Sequence, residues 1–409
     1  MSKEPHFERK TIAAVILSSF AHEPFIALYT LLPFILINNF KASAFQIVLL
    51  TMLKPMSTIF SFYWSFLISQ KKYSLKMNLL CGGLLARVPF IFAIFLDSSS
   101  ALIVASTLYM LFTRATTPAW IEILKLNLHK RKRERYFSIA SALGYAEGVL
   151  ITICIGSLLD SNVGLWRVLY LTSLLISILG LFIQVSIPIY TTEAPNKVKK
   201  INSFKENLTG PFLDFILLMK SRSDFRRFQL AFMTGGFGLM IIQPVIPIFF
   251  AKTLNISYKD LMIAFCVCKG LGFVFTSTFW SRSMHFLTIG KFMSLVFIGF
   301  SAFSIFVICG IYNHVWIYIA YFVYGVAQAG SHLIWHLSGP IFADNEDSSR
   351  FSGVNIITVG IRGIVGPPIG AILAASFGPV STIGASAIIC LCATLVMFIK
   401  MPARLNQPA

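Results

Sequence analysis

The stretch SSFAHEPFIALYTLLPF, residues 18–34, places His22 and Glu23 near the middle of a long apolar run. Water normally solvates a carboxylate, and this run has the composition of a segment that lies in a membrane. A charge at the centre of a bilayer costs about 2.5–3.5 kcal/mol on insertion scales, so a membrane protein that retains one there has a structural or functional use for it.

The overall composition is that of a membrane protein. Of the 409 residues, 56% are hydrophobic and only 12% are charged, whereas soluble domains average about 25% charged residues. Apolar runs of about 20 residues recur, which is the length that an α-helix needs to cross the hydrocarbon core. The sequence therefore predicts an all-α polytopic membrane protein.

The apolar runs between polar breaks predict twelve transmembrane helices in two pseudo-symmetric six-helix bundles. We expect an N-terminal bundle at 1–190, a basic cytoplasmic linker at 191–225 and a C-terminal bundle at 226–409. The predicted spans are 11–37, 45–68, 77–97, 101–125, 137–159, 165–190, 226–250, 259–281, 292–312, 316–340, 353–375 and 381–399.

The distribution of basic residues predicts the orientation. If the N-terminus is cytoplasmic, most of the 34 lysines and arginines lie on the cytoplasmic side, and the other side keeps only Lys41, Arg167, Lys252 and Lys259. Cytoplasmic loops of membrane proteins carry such an excess. We therefore expect both termini in the cytoplasm, the protein in the cytoplasmic (inner) membrane, and no nucleic-acid partner despite the net charge of +18.

The two halves of the sequence resemble each other. YMLFTRATTPAW at 109–120 has the Tyr-to-Trp spacing of YGVAQAGSHLIW at 324–335, and FYWS at 62–65 returns as TFWS at 278–281. These offsets are 215 and 216 residues. Because six helices separate the copies, the two halves have the same orientation, which predicts a parallel repeat.

This organisation resembles the major facilitator superfamily of secondary transporters over nearly the whole chain. The local motifs match those of the family less well. The segment SFLISQKKYSLK after the second helix keeps the basic residues Lys71, Lys72 and Lys76 but lacks the Gly, Asp and Arg that the family usually has there. The Gly-Pro motif typical of the fifth helix is instead similar to GIRGIVGPPIGA in the eleventh. The resemblance implies alternating access, with helices 1, 2, 4, 5, 7, 8, 10 and 11 lining the cavity.

Seven ionisable side chains other than histidine lie deep within the predicted spans, and six of them fall on the helices that the resemblance assigns to the cavity. The exception is Arg87 on the third helix, which is not expected to bind substrate. Five of the seven are basic and two are acidic, so the cavity should attract an anion. The seven are Glu23, Lys54, Arg87, Arg114, Glu147, Lys269 and Arg362.

The predicted substrate is a small organic anion, such as a carboxylate, a phosphorylated metabolite or an amphoteric nutrient. Arginine holds an oxyanion with two parallel hydrogen bonds, and lysine provides a point charge. Gln328, His332 and His336 of the tenth helix are four positions apart and share a face, but no acid or Cys accompanies the two histidines, so a metal site is not expected. The predicted substrate-binding residues are Lys54, Arg114, Lys269, Gln328, His332 and Arg362.

Several alternatives stay open at this point. Glu147–Arg114 and Glu23–Lys54 could be buried structural pairs that leave little net charge. The protein could also be a multidrug or sugar efflux permease of the same fold, or an anion exchanger without a coupling ion.

Glu23 is the leading candidate for proton coupling. Pro24 follows it and permits a bend in the helix. A carboxylate that alternates between wet and dry surroundings binds and releases a proton. Glu147 is the second candidate and His22 a modulator, and the alternative is that a salt bridge of Glu23 only fixes the first helix.

Glycines in TGGFGLM, residues 234–240, make the seventh helix a candidate gate. Gly235, Gly236 and Gly238 lie in mid-helix and Pro244 follows. Such residues soften a helix and also allow close helix packing, so packing alone is the competing explanation.

Other functional classes find little support. The sequence contains no HExxH, no Gly-x-Ser-x-Gly and no P-loop motif, so neither an enzyme with catalytic residues nor an ATP-driven pump is expected. A receptor would be expected to carry an additional soluble domain. We expect no cofactor and a monomer whose partners are the bilayer, a small-molecule substrate and a coupling proton.

Overall fold

The computed structural model describes residues 5–69, 75–128, 130–188, 215–284, 286–343 and 348–398, and every regular element in them is helical. The chain divides into two compact units. The first comprises Met1–Ile201 with Ser257–Lys259, and the second comprises Asn202–Ile256 with Asp260–Ala409. The predicted domain boundaries at 190 and 226 stay a prediction.

The helices of the first unit overlap the six spans predicted for the first half. Helix α1 packs on α5 and α6, helix α3 packs on α4 and α6, and helix α2 packs on α4. Their bounds are α1 (Pro5–Phe40), α2 (Ala44–Ser69), α3 (Leu75–Phe95), α4 (Ser99–Asn127), α5 (Lys130–Ser161) and α6 (Trp166–Ser186), with a 3-10 turn at Val163–Leu165.

The later helices follow a short helix described at 215–221. Helix α7 packs on α13 and α14, α10 packs on α12, and α11 packs on α12 and α14. The bounds are α7 (Ser223–Ile242), α8 (Val245–Phe249), α9 (Tyr258–Met262), α10 (Lys269–Ser283), α11 (Ile289–Cys309), α12 (Val315–Ala343), α13 (Ser348–Phe377) and α14 (Pro379–Phe398).

Two spans predicted as continuous helices are interrupted. The helix predicted at 226–250 ends at Ile242, because Pro244 has no amide hydrogen to continue the hydrogen-bond ladder. A π-helical turn at Phe250–Leu254 follows, and a second one at Ile263–Cys268 interrupts the helix predicted at 259–281. The break therefore falls at Pro244, and the glycines at 235–238 lie inside a continuous α7.

The internal repeat has a counterpart in the backbone. Lys41 after α1 and Asn255 after the first π-helical turn both adopt left-handed conformations, with φ of 51° and 48°, and they lie 214 positions apart in the sequence. At both turns the amide that follows the left-handed residue donates to the carbonyl six residues back, one residue further than in a Schellman C-cap. The two bonds are Ala42 N–H to Leu36 O at 2.9 Å and Ile256 N–H to Phe250 O at 3.2 Å.

The described helices suit a lipid environment. Nine of those in the described residues are long and apolar enough to cross a membrane. Large apolar side chains such as Phe95, Leu179 and Phe275 are 68%, 62% and 71% exposed. An apolar outer surface of this kind is what a multi-pass membrane protein presents to lipid.

Glycines bring α10 and α12 into backbone contact. A Cβ atom at Gly325 would overlap the Lys269 carbonyl, and one at Gly272 would overlap the Phe322 carbonyl. Small residues at such crossings let membrane helices approach closely. This contact fixes the position of Lys269 relative to α12.

We predict that Gly325→Ala destabilises the protein by about 1–3 kcal/mol, because the new methyl group meets backbone that cannot rotate away. The measurement is the thermal unfolding midpoint of the purified protein in detergent. Gly384→Ala on α14 is the control, since the nearest atom to its new Cβ is 4.0 Å away. Equal midpoints for the two variants would contradict the packing described here.

Candidate functional site

Helices α1, α3 and α6 of the first unit enclose a buried polar cluster built on Arg87, which is 7% exposed. Its Nε donates a hydrogen bond to Ser177 Oγ at 2.8 Å, and its Nη1 donates to the Gly83 carbonyl at 3.0 Å. His22 Nδ1 lies 3.3 Å from Arg87 Nη2 and 3.0 Å from Ser177 Oγ. The cluster ties the three helices together through a charge that is solvated by neutral groups.

The hydrogen bonds of this cluster favour one protonation state and one tautomer of the His22 imidazole. A guanidinium can only donate, so His22 Nδ1 must accept from Arg87. Ser177 Oγ accepts from Arg87 Nε, which leaves its own hydroxyl hydrogen free to point at His22 Nδ1. The geometry therefore favours a neutral imidazole with its proton on Nε2. Arg87 and Ser177 belong to this cluster, and Ser177 is a residue that the sequence analysis did not single out.

The carboxylate of Glu23 lies against α5 at Gly148. A Cβ atom at Gly148 would lie 2.6 Å from Glu23 Oε1, so the absent side chain provides the space for the carboxylate. Glu147 is the next residue along α5, and its Oε2 is buried with no hydrogen-bond partner among the described residues. Glu23 therefore contacts the helix that carries Glu147, at the residue that follows Glu147. The structure thus brings the two predicted proton-coupling acids together, and His22 faces the Arg87 cluster.

The Glu147–Arg114 ion pair, one of the two alternatives that pair an acid with a base, is not formed among the described residues. Arg114 is partly exposed on α4, and neither Arg114 nor Glu147 forms an ion pair with any other residue that the structure describes. The side chain of Lys54 on α2 lies outside the described residues, and with it the Glu23–Lys54 pair. Lys269 is half-buried at the first position of α10, without an ion pair in the described part of the chain.

The two polar residues predicted to line the cavity from α12 have different surroundings. Gln328 is half-buried, whereas His332 is exposed. The His332 ring meets the Phe273 ring of α10 edge-on, with 5.5 Å between ring centroids. Their helical spacing places them on one side of α12, but they do not share one degree of burial.

Arg362 of α13 is the most completely enclosed of the predicted substrate-binding residues whose side chains are described, with 9% of its surface exposed. Its Nη1 donates to the Phe232 carbonyl of α7 at 2.7 Å, and its Cζ lies 4.6 Å from the centroid of the Phe232 ring. A Cβ atom at Gly236 would overlap the guanidinium. Within the described residues, Arg362 has no carboxylate partner, and its buried Nε has no hydrogen-bond partner.

The other predicted gating residues of α7 lie in packing contacts. Gly235 faces the Phe297 ring of α11, and a Cβ at Gly238 would lie 3.1 Å from Cys390 Sγ of α14. Pro244 is buried at the end of the helix. Close packing therefore accounts for these glycines, and their gating role stays a prediction.

No group of three or more His, Cys, Asp or Glu side chains that could hold a metal ion is found among the residues described. Single ionisable side chains are instead buried on membrane helices of the described residues, as Arg87 and Arg362 are. Ionisable side chains in this position are typical of ion and solute pathways through membrane proteins. The fold and these charges together define a polytopic membrane transporter.

The comparison with protein families gives the same class. The sequence model of the Major Facilitator Superfamily matches residues 13–355, so the chain belongs to this family. The comparison with curated proteins finds none that matches.

Solved structures share the fold at low sequence identity. The chain is similar to a mutant form of the nucleoside transporter NupG, with 14% identity, a TM-score of 0.72, and 95% of this chain and 100% of that chain covered. A second structure of NupG has 15% identity, a TM-score of 0.68, and coverages of 96% and 99%. At this identity the likeness shows the fold alone.

We predict that Ser177→Ala lowers the unfolding midpoint more than Ser173→Ala does. The first change removes a partner from both Arg87 and His22 and leaves the buried Nε donor of Arg87 unsatisfied, at a cost of about 1–3 kcal/mol. Ser173 is equally buried, but it donates only to the Tyr170 carbonyl of its own helix. The measurement is thermal unfolding in detergent, and an equal loss in both variants would show that the Arg87 cluster does not stabilise the first unit.

Proposed function

We propose that the protein is a twelve-helix secondary transporter of the cytoplasmic membrane that moves a small organic anion by alternating access. Family membership and the nine membrane-length helices among the described residues support a multi-pass transporter. The matched turns at Lys41 and Asn255 support two repeated six-helix bundles. The excess of basic residues in the loops assigned to the cytoplasm supports cytoplasmic termini.

The proposal of an anionic solute rests on one observation: the buried guanidinium of Arg362 has no carboxylate partner among the described residues. A buried guanidinium without a carboxylate leaves a positive charge in a low-dielectric environment, where its attraction for an anion is strong. Arg114 and Lys269 also lack ion pairs in the described residues. The net charge of the buried groups therefore favours a solute that is itself negative.

Proton coupling is proposed for Glu23 with Glu147. Two carboxyl groups in one membrane domain repel when both are ionised, so they favour sharing a proton. Gly148 leaves space for the Glu23 side chain on the α5 surface. Movement of α1 against α5 would change the surroundings of both acids together, which is what coupling to a transport cycle requires.

A nucleoside is the second candidate substrate, because the similar solved structures are of a nucleoside transporter. A nucleoside is neutral, so it would not use the unpaired charge of Arg362. Comparison of a nucleoside with its own phosphate ester therefore separates the two candidates by a single anionic group.

In liposomes containing the purified protein, we expect uptake of the anionic member of each matched pair of solutes. The pairs are uridine 5′-monophosphate with uridine, and succinate with succinamide. We further expect Arg362→Gln to abolish this uptake, because the binding charge is lost. Uptake of uridine alone, unaffected by Arg362→Gln, would reject the anion and favour the nucleoside.

We predict that Glu23→Gln abolishes accumulation driven by a pH gradient but preserves counterflow exchange of the same solute, because an amide cannot carry the proton. Radiolabelled solute flux in liposomes measures both activities. Asp97→Asn is the control, since this exposed acid lies in the turn after α3. Loss of both activities in Glu23→Gln would instead assign Glu23 a structural or binding role.

A further inference from the structure

We infer that Arg362 and Gly236 form an oxyanion seat within the second unit, in which the Nε–Nη2 edge of the guanidinium binds one carboxylate or phosphate group of the transported solute. The inference rests on the proposed function, since it names the group of the solute that Arg362 recognises. It also assigns Gly236 a role in specificity, which the sequence pattern had linked to gating.

The free edge of the guanidinium is defined by its hydrogen bonds. Nη1 is already used by the Phe232 carbonyl at 2.7 Å. Nε and Nη2 lie on the same side of the planar group, and within the described residues neither has a hydrogen-bond partner. This pair of donors matches the two oxygens of a carboxylate or phosphate, which arginine binds with two parallel hydrogen bonds.

Gly236 holds the guanidinium in this orientation by having no side chain. The guanidinium occupies the volume that a Cβ at this position would fill. The Phe232 ring covers one face of the charge at 4.6 Å. Because the backbone carbonyl, the aromatic ring and the glycine together fix the group, little rotamer freedom remains to be lost on binding.

The alternative is that Arg362 only ties α13 to α7, but those helices are already joined by other polar groups. Gln229 of α7 donates to Asn355 Oδ1, and Thr358 Oγ1 donates to Gln229 Oε1 at 3.3 Å. All three side chains are at most 2% exposed. A charged side chain with an unused donor is not needed to hold the same pair of helices together.

The internal repeat gives this seat a counterpart of opposite charge. Gly148 and Arg362 are 214 positions apart, and Glu23 and Gly236 are 213 apart. In the first unit the acid comes from α1 and the glycine from α5; in the second unit the base comes from α13 and the glycine from α7. The duplicated helix pair thus holds a carboxylate in one copy and a guanidinium in the other, which separates proton binding from oxyanion binding.

The test measures the thermal unfolding of the full-length protein in detergent against orthophosphate and, separately, acetate, with ionic strength held constant by potassium chloride. We expect at least one of these anions to stabilise the wild type in a saturable manner. Arg362→Lys keeps the charge but removes the two-donor edge, and Gly236→Ala displaces the guanidinium. In both we expect the half-saturating concentration to rise at least about tenfold, equivalent to about 1.4 kcal/mol.

The control is Gly366→Ala, because it lies at the same contact of α7 with α13 but its new Cβ would meet Met240 Cβ at 2.6 Å. Each variant is compared with its own unfolding midpoint without anion, so a loss of stability does not affect the half-saturating anion concentration that is measured. Because phosphate stabilises many proteins non-specifically, equal stabilisation of wild type and Arg362→Gln would overturn the seat. Absence of saturable stabilisation in the wild type would overturn it as well.

Failure of the seat and failure of the proposed function are distinguishable. If uptake of an anionic solute into liposomes persists in Arg362→Lys and Gly236→Ala, the proposal that the protein transports an anion is kept and the oxyanion seat is rejected. If the seat binds the anion in detergent but no anionic solute is taken up, the seat stands and the proposed transport is rejected.

Discussion

The cost of placing a charge among membrane helices is the constraint on which the rest of this structure depends. In the described residues, the buried charges are accommodated by backbone carbonyls, hydroxyl groups and glycines more than by opposite charges. Arg87 donates to Gly83 O and Ser177 Oγ, and Arg362 donates to Phe232 O. A charge solvated in this way is held in place without being neutralised, so it keeps its electrostatic attraction for a mobile ion or solute.

A glycine lies against Glu23 and another against Arg362, because a carboxylate or a guanidinium needs volume inside a packed helix interface. Gly148 provides it for Glu23 and Gly236 for Arg362. The same residue type also serves purely for packing, as at Gly325 on α12. What distinguishes the two uses is the neighbour, since a flexible side chain can move during a transport cycle whereas a backbone carbonyl of an adjacent helix cannot.

Much of the candidate site could be named from the sequence, because ionisable residues in apolar runs are few. The role of each of these residues is harder to predict from the sequence. His22 is predicted to modulate proton coupling, and that role stays a prediction. One residue along a helix is a rotation of about 100°, and His22 lies against Arg87 and Ser177. The Glu147–Arg114 pair, suggested by opposite charge alone, is not formed in the described structure.

The sequence by itself determined the class of protein, because it has few charged residues and apolar runs of about 20 residues, the length of a membrane helix, and a helix satisfies its own backbone hydrogen bonds in lipid. It also predicted a repeat, and the turns at Lys41 and Asn255 share a left-handed backbone conformation. Only the tertiary structure decided which partner each buried charge has and where α7 ends. Those outcomes depend on contacts between helices far apart in the chain, such as Phe232 with Arg362, and no local pattern specifies such contacts.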